Sequence, residues 1–419
     1  MSKHKTSVAP LDFPRGRGQT LGMSRGTVIL LAIMGSMVAV HIVLWVCVIM
    51  LMKRRLLARS LLFVMFLFLP FTFPMAWIWR HQSNAPGPGP AVLHVCSSVW
   101  LGFVLNFCMC LAVALPVAGV ARLFKRRFGA KPLLRTVFCV AFAVTLFGMI
   151  NARFPRLREI EVEIRDLPEN WHGKTIVQLT DVHLGMVQGN GLLRRVAKQV
   201  DEVGPEFVVI TGDLFDGLVV DCHAYVDGLN EIRARKGVFY VSGNHEGYHS
   251  VEEAKAALER THIRVLDDEI VEVDGLQLVG ASYPEYRLIR TTGKPPFTGA
   301  GCRKDIPAIL LYHTPTGLGS NYGDRYSQQM RTYFFPETGF ELAREMGIDL
   351  QLSGHTHGGQ TFPFGIVAGF IFHGLHRGLH RFGDFSIYIS PGVGTWGPPM
   401  RIGQNPEITV IRLLPTSGE

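Results

Sequence analysis

Nine side chains in the second half of the chain carry most of its chemical capacity. They are Asp181 and His183 in a DVH string, Asp213 and Asp216 in GDLFD, Asn244 and His245 in GNHE, an isolated His313, and His355 and His357 in GHTH. Seven of them, Asp181, His183, Asp213, Asn244, His313, His355 and His357, form a mixed set of oxygen and imidazole donors. Such a set suits Zn, Mn or Fe better than Ca or Mg. The D-x-H and H-x-H spacings, with a carboxylate able to bridge, are what two cations a few ångströms apart require. Paired cations activate a water and neutralise charge that builds on phosphoryl oxygens, so the chemistry they point to is hydrolysis of a phosphate ester.

Each residue alone says little, since a strand-end Asp is usually a turn cap and a lone His usually a satisfied core or surface group. Their placement says more. Five β-branched runs, Thr175–Thr180, Phe207–Thr211, Val238–Ser242, Ala308–Tyr312 and Ile348–Ser353, each end directly in one of the clusters. Rigid strands that point loop residues at a crevice beyond their C-terminal ends are how a sheet builds a site. Amphipathic segments at Gly191–Val203 and Val251–Thr261 predict helices between the strands, giving an α/β alternation. That alternation by itself allows a doubly wound sheet.

In this order, DVH, GDLFD, GNHE, His313 and GHTH resemble the signature of the calcineurin-like metallophosphoesterases over roughly residues 170–415. The strings DLQLSGHTHGGQ and PGVGTWGPPMRIGQNPEI look like its membrane-anchored, YkuE-like branch. The resemblance implies a β-sandwich flanked by helices, and attack on a phosphate mono- or diester by a hydroxide bridging two divalent ions. It implies that Asp181, His183 and His357 hold one ion, that Asn244, His313 and His355 hold the other, and that Asp213 bridges them. It further implies that His245 serves the leaving oxygen and that Asp216 orients His245 and keeps it protonated. Phosphoprotein phosphatases of this family carry an Arg directly after the second Asp of GDxxD. Gly217 stands there, which turns the expectation away from phosphoproteins and leaves the phosphate to Arg401 or to backbone amides near Gly358 and Gly359.

The chain has 419 residues, 47% of them hydrophobic, and a net charge of +8. The hydrophobic excess lies before about residue 152, where runs near Thr27–Met52, Leu61–Trp79, Val92–Val117 and Leu133–Ile150 are long enough to span a bilayer. Trp77, Trp79 and Trp100 sit at or near span ends, and His81–Pro90 reads as a turn-rich loop. The expected organisation is a basic tail over 1–26, a four-span region over 27–152 and a catalytic domain over 159–419. Lys53–Arg55, Arg59, Lys125–Arg127, Lys131 and Arg135 flank the spans, so the positive charge is assigned to anionic lipid and not to nucleic acid. Apart from Arg135 at the start of the fourth, no Asp, Glu, Lys or Arg interrupts the predicted spans, which reads as an anchor and not a transport path.

The two basic short loops belong on the cytoplasmic side, which puts the catalytic domain outside the cell membrane; Lys3, Lys5, Arg15, Arg17 and Arg25 in the tail pull the other way. The expected partners are the bilayer and a phosphate ester, lipid-linked in one version, and no oligomeric state is implied. A pyrophosphatase acting on a UDP-lipid precursor, like UDP-diacylglucosamine hydrolases, is the competing enzymatic reading and requires a cytoplasmic domain. A catalytically silent membrane scaffold is the competing non-enzymatic one. Of seven cysteines, Cys222 and Cys302 lie in the second half without CxxC spacing, which leaves their pairing open. The repeated GLHR in His373–Arg381 reads as a surface loop at the rim of the site.

Overall fold

The computed structural model describes residues 25–52, 56–82, 88–125, 128–217, 220–283, 297, 299, 301–318 and 336–416. The basic tail before Arg25, Lys53–Arg55 and Arg126–Arg127 lie outside them. By its contacts the chain divides into two compact units, 1–70 and 71–419.

Four helices open the chain: α1 (Arg25–Leu51), α2 (Leu56–Gln82), α3 (Pro88–Leu123) and α4 (Ala130–Asn151). Each is long and apolar enough to cross a membrane. Helices α2, α3 and α4 overrun their predicted apolar runs at both ends, because a helix continues as long as its backbone is bonded and not only while its side chains are apolar. Pro88 and Pro90 therefore belong to α3 and not to a loop; at a helix start the missing proline N–H has no intrahelical partner to lose. In the first unit the Trp45 ring meets Phe63 edge-on with centroids 4.9 Å apart. There Arg59 Nη2 donates to the Ile49 carbonyl at 3.1 Å.

From Arg156 onward the chain forms a sandwich of two six-stranded sheets. The first contains β1 (Arg156–Ile164), β2 (Thr175–Leu179), β3 (Val208–Thr211), β4 (Val238–Val241), β5 (Ile263–Val265) and β12 (Glu407–Pro415), in the order β1-β12-β2-β3-β4-β5. The second contains β6 (Glu269–Val273), β7 (Leu276–Ala281), β8 (Ala308–Tyr312), β9 (Leu350–Ser353), β10 (Gly378–Phe382) and β11 (Phe385–Ile389), in the order β10-β11-β9-β8-β7-β6. Strands β2 to β5 run parallel, as do β7, β8, β9 and β11. All five predicted cluster-bearing strands are present, so their C-terminal ends share one edge of the sandwich.

Alternation with period two explains the layers. Ile176, Val209 and Phe239 face inward against Leu278, Ile309, Leu350 and Leu352 of the other sheet. Their neighbours Val177, Val208 and Val238 face outward onto Leu193, Val196 and Val200 of α5 (Asn190–Val203) and Leu258 of α8 (Val251–Leu258). Short α6 (Val226–Asn230) and α7 (Asn244–His249) lie between these helices in the chain. Val279, Leu310 and Ile387 cover the other outer face with Phe340, Ala343 and Met346 around α9 (Glu341–Glu345). Because both faces are covered, the strands read as unbroken apolar runs. After β9 comes α10 (Phe364–Ile371). Half of the GLHR repeat is strand β10, paired antiparallel to β11 from Gly378 to Phe382; the expected surface loop is thus partly an ordered sheet edge.

Candidate metal centre

The turn after each cluster-bearing strand bends at once, and the bend is made by the donor residues themselves. Asp181, His183, Asp213, His355 and His357 all have φ between 49° and 72°. That left-handed backbone is costly for residues with a Cβ and persists where the surroundings over-determine it, often at functional sites. Gly212, just before Asp213, has φ +87°, and a Cβ there would sit 2.6 Å from His313 Nδ1. Only glycine lets β3 pass under the histidine that β8 delivers.

The seven predicted donors converge on two groups joined at one atom. In the first, His357 Nε2 lies 3.3 Å from Asp181 Oδ1 and 3.0 Å from His183 Nε2. His183 Nε2 is 3.9 Å from Asp213 Oδ2. In the second, His313 Nε2 lies 3.1 Å from that same Asp213 oxygen and 3.1 Å from Asn244 Oδ1. His355 Nδ1 lies 2.8 Å from Asn244 Oδ1. All seven side chains are buried. Oxygen and imidazole atoms that crowd together in a dry site, with their acceptor faces turned to one another, fit a pair of divalent cations, and Asp213 Oδ2 stands where a bridging oxygen belongs.

Surrounding groups fix the direction of each donor, as outer-shell partners of metal ligands do. His313 Nδ1 donates to the Thr211 carbonyl at 2.8 Å, which frees Nε2 for the centre. Asn244 Nδ2 donates to Tyr248 Oη at 3.2 Å, which turns Oδ1 inward. Thr180 Oγ1 donates to Asp181 Oδ2 at 2.8 Å. Glu246 is buried and accepts from the Asp213, Phe215 and Gly243 backbone N–H groups at 3.1, 3.0 and 2.7 Å. It ties GDLFD to GNHE, a role the sequence reading overlooked. Its signal was present, since a glutamate three residues past the start of a helix commonly reaches back to the first backbone amide.

The buried donors shift one another's proton affinity strongly. Burial opposes ionisation of Asp213, yet the imidazoles of His313, His245 and His183 hold it well below the usual carboxylate range. Burial also opposes protonation of His313, but Asp213 and then Asp181 lift it to about 9. His357 is driven well below its ordinary value by burial, then by His183 and Arg401. Burial raises Asp181, with the Asp213 charge adding to the shift. Carboxylates and imidazoles packed around one shared oxygen thus perturb one another strongly, as ionisable groups at functional sites do.

Three expectations change. The Asp216 carboxylate does not meet His245; its Oδ1 faces His183 Nδ1 at 3.5 Å. It is the Asp216 backbone carbonyl that accepts from His245 Nδ1, at 2.8 Å. Burial lowers His245, an effect that the Asp213 and Asp216 charges and the bond to the Asp216 carbonyl only partly offset. Second, Arg401 is completely buried, and its guanidinium donates to the Pro391 carbonyl at 2.7 Å and from Nε to the Gly394 carbonyl at 2.8 Å. It braces the loops behind His357 and is not free to grip a phosphate. Third, the Gly358 and Gly359 amides close a turn on Thr356, at 3.2 and 2.9 Å. The absence of an Arg after Asp216 also has a cause. Gly217 has φ +69°, and a Cβ there would approach the His245 carbonyl to 2.7 Å.

A cavity of about 270 Å³ opens beside His245 and is lined also by Gly217, Tyr248, Trp396, Phe73 of α2 and His94 of α3. Trp396 is 56% exposed, and its ring centroid lies 6.0 Å from that of His245, so it forms a lip. Cys222 and Cys302 are free thiols, the first buried in the sheet–helix core.

The calcineurin-like phosphoesterase family profile matches residues 174–359. A transmembrane protein with metallophosphoesterase domain from Danio rerio is 32% identical over 290 residues, which are 65% of this chain and 61% of that protein. The chain thus spans less than two thirds of that relative's length. An uncharacterized metallophosphoesterase of Helicobacter pylori (strain J99) is 31% identical over 301 residues, 69% of this chain and 73% of the relative. The metallophosphoesterase YkuE of Bacillus subtilis is 28% identical over 269 residues, 60% of this chain and 82% of the relative. Identity at the level of the Helicobacter protein, over most of that protein's length, establishes that the chain belongs to the calcineurin-like metallophosphoesterase family.

Proposed function

We propose that the chain is a membrane-anchored phosphoesterase that uses two divalent ions to hydrolyse a phosphate mono- or diester with an amphiphilic leaving group. The observation that carries this reading is the single oxygen, Asp213 Oδ2, shared by two buried donor groups. Asp181, His183, His357 and Asp213 would hold one ion, and Asn244, His313, His355 and Asp213 the other. Bound there, the ions would supply Lewis acidity at the phosphoryl oxygens and a water acid enough to ionise near neutral pH.

The chain's own groups do the rest. Asp216 steers His183 through Nδ1, in the arrangement of carboxylate, imidazole and metal that raises ligand basicity. His245 is anchored by Nδ1 on the Asp216 carbonyl, and its Nε2 lies 3.9 Å from Asp213 Oδ2. From that position Nε2 meets the oxygen that departs from phosphorus. The cavity beside it sets the leaving-group class: Phe73, Tyr248 and Trp396 offer apolar walls, and two span helices border it. A substrate carried in the bilayer also arrives at high effective concentration. The short-loop charges favour the external face, against the pull of the basic tail.

The full chain in detergent tests the reading. It should carry about two ions of Mn, Zn or Fe, and hydrolyse aryl phosphate mono- or diesters in a chelator-sensitive way. A chain with no bound metal and no hydrolysis is the scaffold outcome and ends the proposal. A C-terminal topology reporter found in the cytoplasm, with cleavage of nucleotide–lipid pyrophosphates, would move the assignment to the pyrophosphatase.

A further inference from the structure

We propose that α10 is an interfacial helix of the catalytic domain, embedded in the same bilayer as the spans and holding the His355–Gly359 loop at the membrane surface. The helix, FGIVAGFI, has no buried residue. Phe362, Phe364, Ile366, Val367 and Phe370 are all exposed, Phe370 to 80%. An apolar surface this continuous on one short element marks contact with a partner or a membrane.

Continuity with the spans selects the membrane. Phe362, just before α10, lines an apolar cavity of about 460 Å³ together with Val113 and Val117 of α3 and Val140 of α4. Those three residues lie within candidate membrane spans. The base of α10 therefore begins at a depth where its neighbours are already apolar enough for lipid. Charge agrees. No Asp or Glu occurs from Gly359 to Gly383, whereas Arg377 and Arg381 follow the helix with His373, His376 and His380. An apolar helix with a basic flank is the composition of an element that lies in the headgroup boundary of anionic lipid.

Both ends of the segment are bonded to the metal-binding turn. Ahead of α10, the Gln360 N–H donates to the His357 carbonyl at 2.9 Å and the Phe364 N–H to the Thr361 carbonyl at 2.8 Å. Beyond it, Thr356 Oγ1 donates to the His376 carbonyl at 2.6 Å. Insertion of α10 would fix the height of His355 and His357 above the bilayer, so that an ester at headgroup level reaches the centre without leaving the membrane. This placement holds whichever ester is cleaved.

The test uses the full chain in nanodiscs of anionic lipid, with an environment-sensitive fluorescent amino acid at Phe370 and, separately, at Val367. Lys198 on α5, with 78% of its side chain exposed, is the aqueous control. Unchanged metal content reports an intact fold. The expected result is blue-shifted emission at 370 and 367, lost to lipids brominated near the headgroup and insensitive to aqueous iodide, with the opposite pattern at 198. Emission at both helix positions that iodide quenches and bromolipid does not would overturn the proposal. Protection from both quenchers would overturn it too, since a protein and not lipid would then cover the helix.

Discussion

A carboxylate that serves two donor groups at once cannot be replaced by its amide, and position 213 is where this matters most. Asp213 Oδ2 lies 3.1 Å from His313 Nε2 and 3.9 Å from His183 Nε2, while Oδ1 accepts from the His245 N–H at 2.8 Å. Asp213→Asn keeps the shape but removes the negative charge at the junction. Hydrolysis should fall by more than about 100-fold, beyond the loss typical of a residue that only supports a ligand. Metal content, measured on the same preparation, should fall from about two ions towards one or none. Full activity in the Asp213→Asn chain would sink the assignment of the centre. At this scale the sequence was informative because donor types and spacings are local. What escaped it was direction: Asp216 uses its carbonyl on one histidine and its carboxylate on another, and Arg401 turns away from the substrate side. No spacing encodes which atom of a residue faces which neighbour.

Elements were legible where burial imposes a pattern. β2, β3, β4, β8 and β9 carry apolar runs because each is covered on both faces, and the polar cluster marks where cover ends. β10 and α10 were not read, since a sheet edge and an exposed apolar helix lack the alternation that one buried and one wet face produce. Asp349, just before β9, was also missed, although it sets the register of the second sheet. Its carboxylate accepts from the Ala308 N–H at 2.9 Å, and its own N–H donates to the Ala308 carbonyl at 3.0 Å. Burial raises its carboxyl to about 6, with the charges of Asp166 and Asp384 adding and the Ala308 N–H and Arg165 opposing. The unfolded value is about 3.9, so between about pH 4 and about pH 6 the folded chain binds more protons. This group's contribution to stability is thus fully present below about pH 4 and is lost as pH rises through about 6, a change of about 3 kcal/mol. Asp349→Asn keeps the acceptor for Ala308 and removes the titration. Thermal unfolding at pH 5 and pH 7 should show a smaller fall for the variant, and an unchanged difference would refute the linkage.

On the scale of the whole molecule, the division by contacts falls at residue 70 and leaves α3 and α4 in one unit with the β-sandwich. That grouping was out of reach for sequence reasoning, which separates an anchor from a domain where composition changes. The contacts responsible are long-range. The Arg401 N–H donates to the Gly148 carbonyl of α4 at 3.0 Å, and Asn151 Nδ2 donates to the Arg401 carbonyl at 3.2 Å. Asn106 of α3 bonds Thr145 of α4 at 2.9 Å and points the same amide nitrogen at Met400 Sδ, 3.6 Å away. Arg401 in turn reaches Pro391, Gly394 and, at 3.3 Å, His357 Nδ1. A chain cut before Arg153 would uncover Met400, which is fully buried, and leave both main-chain groups of Arg401 without these partners. Lost apolar burial at about 2 kcal/mol and hydrogen bonds at about 1 kcal/mol in total put the cost near 3 kcal/mol. The excised domain should therefore unfold at lower temperature than the full chain and release the ion held by His357 faster to a chelator. Asn151→Leu in the full chain should reproduce part of both effects. Equal thermal stability and equal chelator resistance in all three proteins would show that the spans hold the domain at the membrane without bracing its metal centre.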